Sequence, residues 1–192
     1  EPSAILEIVE EVSRAHDVDR RRVFVAGLSA GASMAAILAE QAPDVFSAAA
    51  LMAGVALHAA SDEPSAYAAM RGQSAPDRAL LGRGTFDGKA YAGSRAIVWT
   101  GALDRRVNPV NARILADQFR TLYGLPPEPA VQELSLDGSQ SIWRDAAGRE
   151  RVVLREVPAL GHAWSGGSLR GSYTAPAGPK FSEAAFRFFL EG

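Results

Sequence analysis

The sequence contains no cysteine, and this absence excludes several kinds of chemistry at once. Without thiols the chain has no disulfide, no thiolate metal site and no cysteine nucleophile. A strong net charge is also missing, because 20 lysines and arginines oppose 22 aspartates and glutamates. With its charges balanced in this way, the chain has no excess of basic residues to attract nucleic acid or an anionic membrane surface. We therefore expect neither as a partner.

Long apolar runs are absent too, although 47% of the residues are hydrophobic. No run reaches the roughly 18 residues that a membrane-spanning helix needs. With 192 residues, the chain is long enough for one domain with a sizeable core. No repeat, low-complexity tract or interdomain linker divides it, so we expect a single domain over residues 1–192.

Helical and strand patterns alternate along the chain. Apolar residues at helical spacing predict a helix over 3–15, an apolar run predicts a strand over 22–26, and an alanine-rich stretch predicts a helix over 30–41. The further predictions are strands at 47–54 and 95–100, a loop-rich stretch at 55–93, a helix opened by Pro109, a hairpin over 141–157 and a closing helix over 181–192. This alternation predicts an α/β fold, with a mainly parallel sheet and helices on both faces.

One short segment, Gly27-Leu28-Ser29-Ala30-Gly31, has the G-x-S-x-G spacing of a nucleophile elbow. It lies where a predicted strand turns into a predicted helix, and small neighbours let these two elements approach closely. The first N–H groups of the helix point toward any developing negative charge, so the Ala30 backbone N–H is a predicted oxyanion donor. We interpret Ser29 as a nucleophile; a glycine-rich turn with a passive serine is the alternative.

A serine nucleophile needs a base, and the sequence offers three histidines. His16 lies near the end of the first predicted helix and is expected to be exposed. His58 follows the strand at 47–54, and we expect it to line the cleft as a substrate-binding residue. His162 follows a predicted strand directly and lies in a glycine-rich loop. We therefore predict that His162 is the base, the alternative being a structural loop histidine.

The base needs an orienting acid, and Asp104 is the best candidate because it follows the buried strand at 95–100. Asp87 lies in a loop with no strand before it, and Asp137 lies at the edge of the predicted hairpin. The resulting chain order of serine, aspartate and histidine is the order of the α/β-hydrolase fold. No cluster of histidines and carboxylates has the spacing of metal ligands, so neither a metal nor a cofactor is expected.

Three segments carry a family resemblance: VAGLSAGASMAA, GALDRRVNPVN and GHAWSGGSLRGSYTAPAGP. In this order they resemble the polyhydroxybutyrate (PHB) depolymerase-type esterases of the α/β-hydrolase superfamily, whose close relatives include feruloyl and acetylxylan esterases. The resemblance covers essentially the whole chain. It implies Ser29 as nucleophile, Asp104 as acid and His162 as base, and it implies a secreted, extracellular enzyme.

Enzymes of this family carry earlier strands, including a His-Gly loop that supplies the second oxyanion donor. The present sequence starts at the helix just before the serine strand, with Glu1 as its first residue. We therefore expect an α/β-hydrolase sheet that lacks its N-terminal strands and its oxyanion loop. We also expect the chain to begin partway into a longer gene product.

Further residues near the predicted triad have expected roles. Trp164 and Leu28 are candidate substrate-binding residues, although a buried packing role is the alternative for Trp164. Asn108 is the expected cap of the helix that Pro109 opens, and it would hold the acid loop in shape.

These observations predict a serine ester hydrolase that forms an acyl-enzyme intermediate. Its expected substrates are polyhydroxyalkanoate or hydroxybutyrate esters, or related acyl esters. A carbohydrate esterase of the feruloyl or acetylxylan type and a serine peptidase are the enzymatic alternatives, because the triad does not separate ester from amide substrates. A non-catalytic, hydrolase-like binding scaffold is the alternative of another class.

Overall fold

A computed structural model describes residues 1–82 and 91–191 of the chain, so the candidate acid Asp87 lies outside the described residues. The helices are α1 (Pro2–Ala15), α2 (Ala30–Gln41), α3 (Glu63–Met70), α4 (Val110–Leu122) and α5 (Phe181–Leu190). The strands are β1 (Phe24–Leu28), β2 (Ala48–Met52), β3 (Arg95–Gly101), β4 (Val131–Ser135), β5 (Gly138–Arg144), β6 (Glu150–Val157), β7 (Trp164–Ser165) and β8 (Thr174–Ala175).

Six of the strands form one sheet in the order β1-β2-β3-β6-β5-β4. The pairs β1–β2, β2–β3 and β3–β6 are parallel, whereas β5 pairs antiparallel with both β6 and β4. β2 and β3 are buried along their whole length, as expected for parallel strands covered on both faces. The predicted α/β class with a mainly parallel sheet is therefore confirmed.

Helices cover both faces of this sheet. On one face α2 and α4 pack on Ala49, Leu51 and Val98, and on the other face α5 packs on Ala50 and Met52. Successive β2 side chains thus pack on opposite faces of the sheet, which is the alternation that strand geometry imposes. Among the described residues, no helix combines the length and the apolar character that crossing a bilayer requires.

Two predicted elements differ from the observed ones in their extent or burial. The first strand runs over Phe24–Leu28 rather than 22–26, because Arg20–Arg22 form a 3₁₀ turn whose Arg21 N–H donates to the Asp19 side chain at 3.0 Å. The helix predicted over 3–15 is present as α1, but two residues of its apolar stripe, Ile8 and Val12, are 60% and 47% exposed. Only part of the apolar face of α1 is therefore buried against the rest of the protein.

The predicted hairpin is present and is extended by a strand that the sequence did not reveal. Its turn lies where expected, with the Gly148 N–H donating to the Asp145 carbonyl at 2.9 Å. The additional strand β4 pairs with β5 and is mostly exposed. Because few of its side chains reach the core, β4 lacks the apolar run on which strand prediction relies.

Close packing of α2 on the sheet depends on two glycines. A Cβ on Gly27 would lie 2.2 Å from the backbone of Gly31, and a Cβ on Gly54 would lie 2.9 Å from the Cβ of Ala32. Both distances are too short for a real side chain, so α2 lies directly against the ends of β1 and β2. This contact places the turn that carries Ser29.

Candidate active site

Ser29 occupies a strained turn between β1 and α2. Its φ of 58° and ψ of −120° fall in a region that residues with a Cβ rarely adopt. The turn is held in place because the Ser29 N–H donates to the Met52 carbonyl at 2.9 Å, and the Ser29 carbonyl accepts from the Ser33 N–H at 3.0 Å. Such strain at a half-buried serine is typical of a functional site.

The N-terminus of α2 lies immediately after Ser29. Because the helix begins at Ala30, the N–H of this residue belongs to the first turn, where no intrahelical acceptor exists. Ala30 is exposed, so its N–H is available to an anion at the serine. Its role as an oxyanion donor stays a prediction.

Asp104 follows β3 and is fixed by three hydrogen bonds. Its Oδ1 accepts from the backbone N–H groups of Arg106 and Val107, at 2.8 and 2.9 Å. Its Oδ2 lies 2.7 Å from Nδ1 of His162. The residue is only 6% exposed, and a buried carboxylate is stable only when its oxygens are bonded in this way. The structure thus brings the predicted acid next to the predicted base, and the catalytic roles of both stay predictions.

The acid loop and the histidine loop are joined directly through their backbones. The Leu103 N–H donates to the Leu160 carbonyl at 3.0 Å, and the Ala102 N–H donates to the Val157 carbonyl at 2.9 Å. A Cβ on Gly101 would lie 2.1 Å from the Leu160 oxygen, so a glycine at this position permits the approach. These contacts set the separation of Asp104 and His162.

The bond from Asp104 also selects the tautomer of His162. Since a carboxylate only accepts hydrogen bonds, Nδ1 carries the proton of the neutral ring and Nε2 keeps its lone pair. Within the described ranges no hydrogen bond joins the Ser29 hydroxyl to His162, so the serine–histidine contact stays a prediction. Catalytic hydrogen bonds are often longer without substrate and shorten when it binds.

The other titratable candidates lie elsewhere. Asp137 belongs to the turn between β4 and β5, where its N–H donates to the Ser135 hydroxyl at 3.2 Å. His16 is exposed, as expected. His58 is paired through Nε2 with both carboxylate oxygens of the buried Glu40, at 2.9 and 3.0 Å. In the part of the chain that the structure describes, no group of three or more histidines and carboxylates could hold a metal ion.

Ser29 opens on a cavity of about 330 Å³ that lies between α2, α3 and the loop after β2. His58 lies in the wall of this cavity, and its binding role stays a prediction. Its described lining consists of Ser29, Ala30, Ser33, Met34, Ile37, Val55, Ala56, Leu57, His58, Ala59, Ala60, Ala66, Met70 and Val107. A larger cavity of about 650 Å³, lined by several arginines, shares none of these residues.

Two expected substrate-binding residues do not line the Ser29 cavity. The side chain of Leu28 packs into the core on the α5 side of the sheet. The Trp164 indole lies edge-on to Phe181 with ring centroids 4.9 Å apart, and its Nε1 donates to the Ser182 hydroxyl at 3.0 Å. This contact agrees with the packing role that the sequence left as the alternative, and a substrate-binding role of Trp164 stays a prediction.

Sequence reasoning missed Tyr173, which lies beside His162. The two ring centroids are 6.4 Å apart and the planes meet at 81°, and the Arg106 guanidinium lies 5.4 Å from the tyrosine centroid. Tyr173 is 54% exposed and has a φ of 53°, an unusual value for a residue with a Cβ. The only available signal was its position in the third segment that carries the family resemblance.

Asn108 immediately precedes Pro109, the N-cap residue of α4, and it supports the start of the helix without occupying the cap position itself. Asn108 accepts a hydrogen bond from the Val110 N–H through its side-chain oxygen at 3.0 Å, and its own N–H donates to the Met70 carbonyl at 2.7 Å. These bonds fix the start of α4 and the end of the acid loop. They also connect that loop to α3, which lines the Ser29 cavity.

A strained serine between a parallel strand and a helix, with an acid and a histidine after two further parallel strands of the same sheet, is the arrangement of an α/β-hydrolase fold. The chain belongs to the esterase family of PHB depolymerases, since the family model described as Esterase PHB depolymerase matches residues 1–130. The sequence-based assignment to this family is thereby confirmed.

Individual relatives agree with this family. Poly(3-hydroxyalkanoate) depolymerase C of Paucimonas lemoignei is 30% identical over 165 residues, which cover 84% of this chain and 40% of the relative. Two solved structures share the fold. An acetyl xylan esterase from Aspergillus awamori matches with a TM-score of 0.72 and 16% identity, over 98% of this chain and 66% of that one. A PHB depolymerase complexed with an R3HB trimer matches with a TM-score of 0.66 and 18% identity, over 91% of this chain and 53% of that one. The chain thus spans less than half the length of the curated relative.

Proposed function

We propose that this chain carries the nucleophile, acid and base of a serine ester hydrolase. The observation that carries the proposal is the buried 2.7 Å contact of Asp104 Oδ2 with His162 Nδ1, after strands that end at the same sheet edge as the strained Ser29 turn. In α/β sheets the carboxyl ends of the strands form the reactive edge. Membership of the depolymerase esterase family supports the same chemistry.

The proposed reaction proceeds through an acyl-enzyme. Ser29 Oγ attacks the ester carbonyl carbon while His162 Nε2 accepts the hydroxyl proton, and the Ala30 N–H donates to the oxyanion. The bond to the alcohol oxygen then breaks, and the histidine returns its proton to that oxygen. Water subsequently attacks the acyl-enzyme with His162 as base, which releases the acid and restores the serine.

The proposed substrates are polyhydroxyalkanoate or hydroxybutyrate esters. The support is the name of the Paucimonas lemoignei relative, a poly(3-hydroxyalkanoate) depolymerase, together with the family match. Other acyl esters, including carbohydrate-linked ones, and amides are outcomes that substrate assays separate. A secreted, extracellular location and a single catalytic domain over residues 1–192 also stay predictions.

A fluorophosphonate probe tests the nucleophile directly, because it labels an activated serine without requiring a particular substrate. We expect labelling of the protein that Ser29→Ala abolishes and that Ser172→Ala, at an exposed serine, leaves intact. In parallel, Ser29→Ala should lower kcat on a nitrophenyl ester by about 10⁴–10⁶, since triad members act as a unit.

Each contrary result has its own meaning. Labelling that survives in folded Ser29→Ala protein would contradict Ser29 as the nucleophile. Absence of both labelling and turnover would favour the non-catalytic scaffold if a longer protein that includes the expected oxyanion loop is folded and inactive as well. Turnover of a nitroanilide in preference to the matching nitrophenyl ester would favour the peptidase.

A further inference from the structure

The cavity at Ser29 has a wall whose polar side chains are already bonded within the protein. The Ser33 hydroxyl donates to the Ser29 carbonyl at 3.3 Å and accepts from the Val55 N–H at 3.0 Å. His58 is held by Glu40, and the remaining side chains of the described lining, Ser29 apart, are apolar. Because most of this wall offers no hydrogen-bond partner, a ligand that is largely apolar fits the cavity better than a strongly polar one.

Buried polar residues fix the loop that forms one side of this cavity. Asn111 accepts from the Ala56 N–H at 3.3 Å, while Gln118 both accepts from the Leu57 N–H at 2.9 Å and donates to the Leu57 carbonyl at 2.8 Å. Asn111 and Gln118 are only 2% and 3% exposed. Breaking any of these bonds would leave a buried polar group unpaired, so the loop is held in one position.

Glu40 completes this support from α2. Its carboxylate is 5% exposed at the side chain and accepts from His58 Nε2 and from the Gly82 N–H, the latter at 2.8 Å. The chain thus uses three buried polar side chains, on α2 and α4, to hold one side of the cavity in a defined shape. A site that is formed in advance loses less free energy to ordering when a ligand enters.

The cavity is open on one side, so its size limits only the part of a ligand that lies inside it. At roughly 30 Å³ for each water-sized group, 330 Å³ accommodates about ten such groups. That space exceeds the need of an acetyl group and suits an aliphatic chain of several carbons. Met34 and Met70 lie in the wall, and flexible, unbranched side chains of this kind adapt to aliphatic ligands.

The position of the cavity indicates which part of an ester it holds. His162 must protonate the leaving alcohol oxygen, so the alcohol part lies on the His162 side of Ser29. The cavity is lined by Ala30 and the first turns of α2, with Val107 of the acid loop at one side, and His162 is not part of its described lining. Because its wall includes the predicted oxyanion donor Ala30, which must lie against the acyl carbonyl oxygen, the acyl part of the ester is the part nearest to it.

We propose that this cavity is a binding pocket for the acyl chain of the substrate and selects aliphatic acyl groups longer than acetyl. The proposal rests on the proposed function, because it takes Ser29 as the attacking group. Ala66 of α3 lies in the wall, so a larger side chain at this position shortens the pocket.

The test compares nitrophenyl acetate with nitrophenyl hexanoate. We expect the protein to prefer the hexanoate, and Ala66→Leu to lower the hexanoate-to-acetate ratio of kcat/KM about tenfold or more, since one methylene in an apolar pocket is worth at least that factor. The control Tyr67→Leu places the same residue type on α3 at an exposed position outside the lining, and its ratio should match that of the unchanged protein. Met70→Ala should shift the preference toward longer esters. A ratio that neither Ala66→Leu nor Met70→Ala changes, in folded protein, overturns the proposal.

A binding measurement separates failure of the pocket from failure of the proposed function. Hexanoate binding to Ser29→Ala protein, followed by calorimetry, should weaken at least tenfold when Ala66→Leu is added. If the unchanged protein hydrolyses no ester but hexanoate still binds and Ala66→Leu weakens this binding, the proposed function fails and the pocket stands. If esters are hydrolysed but hexanoate binding does not depend on position 66, the pocket is wrong and the proposed function stands.

Discussion

The proposed reaction depends on the hydrogen bonds of single side chains, and those of Asp104 give the sharpest test. In Asp104→Asn, the side-chain oxygen still accepts from Arg106 and Val107, and the amide NH₂ then faces His162 Nδ1. Because an amide nitrogen donates, the ring must place its proton on Nε2, which blocks the base.

We expect Asp104→Asn to lower kcat on a nitrophenyl ester by about 10⁴. The thermal transition should stay close to that of the unchanged protein. Asp137→Asn, in the β4–β5 turn, is the matched control and should keep full activity. Full activity in Asp104→Asn would show that another residue orients the histidine.

Tyr173 offers a second prediction about a single side chain. Tyr173→Phe keeps the ring that lies against His162 and Arg106, whereas Tyr173→Ala removes it. An aromatic contact is worth about 0.5–1.5 kcal/mol, so the alanine variant should lose about two- to twelvefold in kcat while the phenylalanine variant keeps most of it. The Nδ1 proton of His162, observed by NMR, should broaden in the alanine variant only. Equal behaviour of the two variants would exclude a role for the ring.

Ser29, Asp104 and His162 lie after the ends of β1, β3 and β6, as the apolar runs of these strands predicted, and their catalytic roles stay predictions. The sequence did not predict the place of Tyr173, because a positive φ and contacts with Arg106 and His162 depend on how distant loops meet. The contact of Trp164 with Phe181, outside the lining of the Ser29 cavity, was not foreseen for a related reason. Residue type alone does not tell which way a loop directs an aromatic ring.

Among the elements, α2 is predicted best, with the expected bounds of 30–41. Two independent signals agree there, since the glycine-rich turn starts the helix and its alanines continue it. The edge strand β4 was missed because an exposed edge strand carries few apolar residues. The start of β1 was misjudged because Arg20–Arg22 and Asp19 form a local turn that strand periodicity does not reveal.

The contact between α2 and β1 gives a prediction about stability. Gly27→Ala would place a Cβ 2.2 Å from the Gly31 backbone, and backbone atoms do not move aside cheaply. We expect the free energy of unfolding to fall by about 1–3 kcal/mol, as for other overpacked sites, or the chain to fail to fold. Gly31→Ala is the matched control, because nothing lies within 4 Å of its Cβ.

In urea unfolding, Gly31→Ala should match or exceed the stability of the unchanged protein, since alanine favours a helix over glycine by about 1 kcal/mol. Equal destabilisation by both changes would mean that the close approach of α2 to β1 is not the reason why Gly27 is needed.

For the whole molecule, alternation of helices and strands predicted the class but not the order of the strands. The pairing of β3 with β6 brings together segments far apart in the chain, and no local pattern encodes such a partner. The same pairing positions the acid and histidine loops, so geometry at the site depends on contacts that only the folded chain supplies. The expectation of one domain over residues 1–192 stays a prediction.

The strained turn at Ser29 also affects the stability of the whole molecule. Holding a non-glycine residue at a φ of 58° costs about 1–3 kcal/mol. Ser29→Gly removes this cost, but glycine also increases the conformational entropy of the unfolded chain, which lowers the stability by about 0.5–1 kcal/mol. The balance of about 1 kcal/mol corresponds to a Tm about 2–4 °C above that of Ser29→Ala, which keeps the Cβ.

Calorimetric melting of the two variants measures this difference, and a lower Tm for Ser29→Gly would mean that the turn relaxes without strain. If the difference is as expected, glycine at position 29 gives the more heat-resistant protein, whereas the proposed activity requires serine there. A library screened for survival at high temperature alone would then enrich inactive chains, so any programme of directed evolution on this protein must select for turnover in every round.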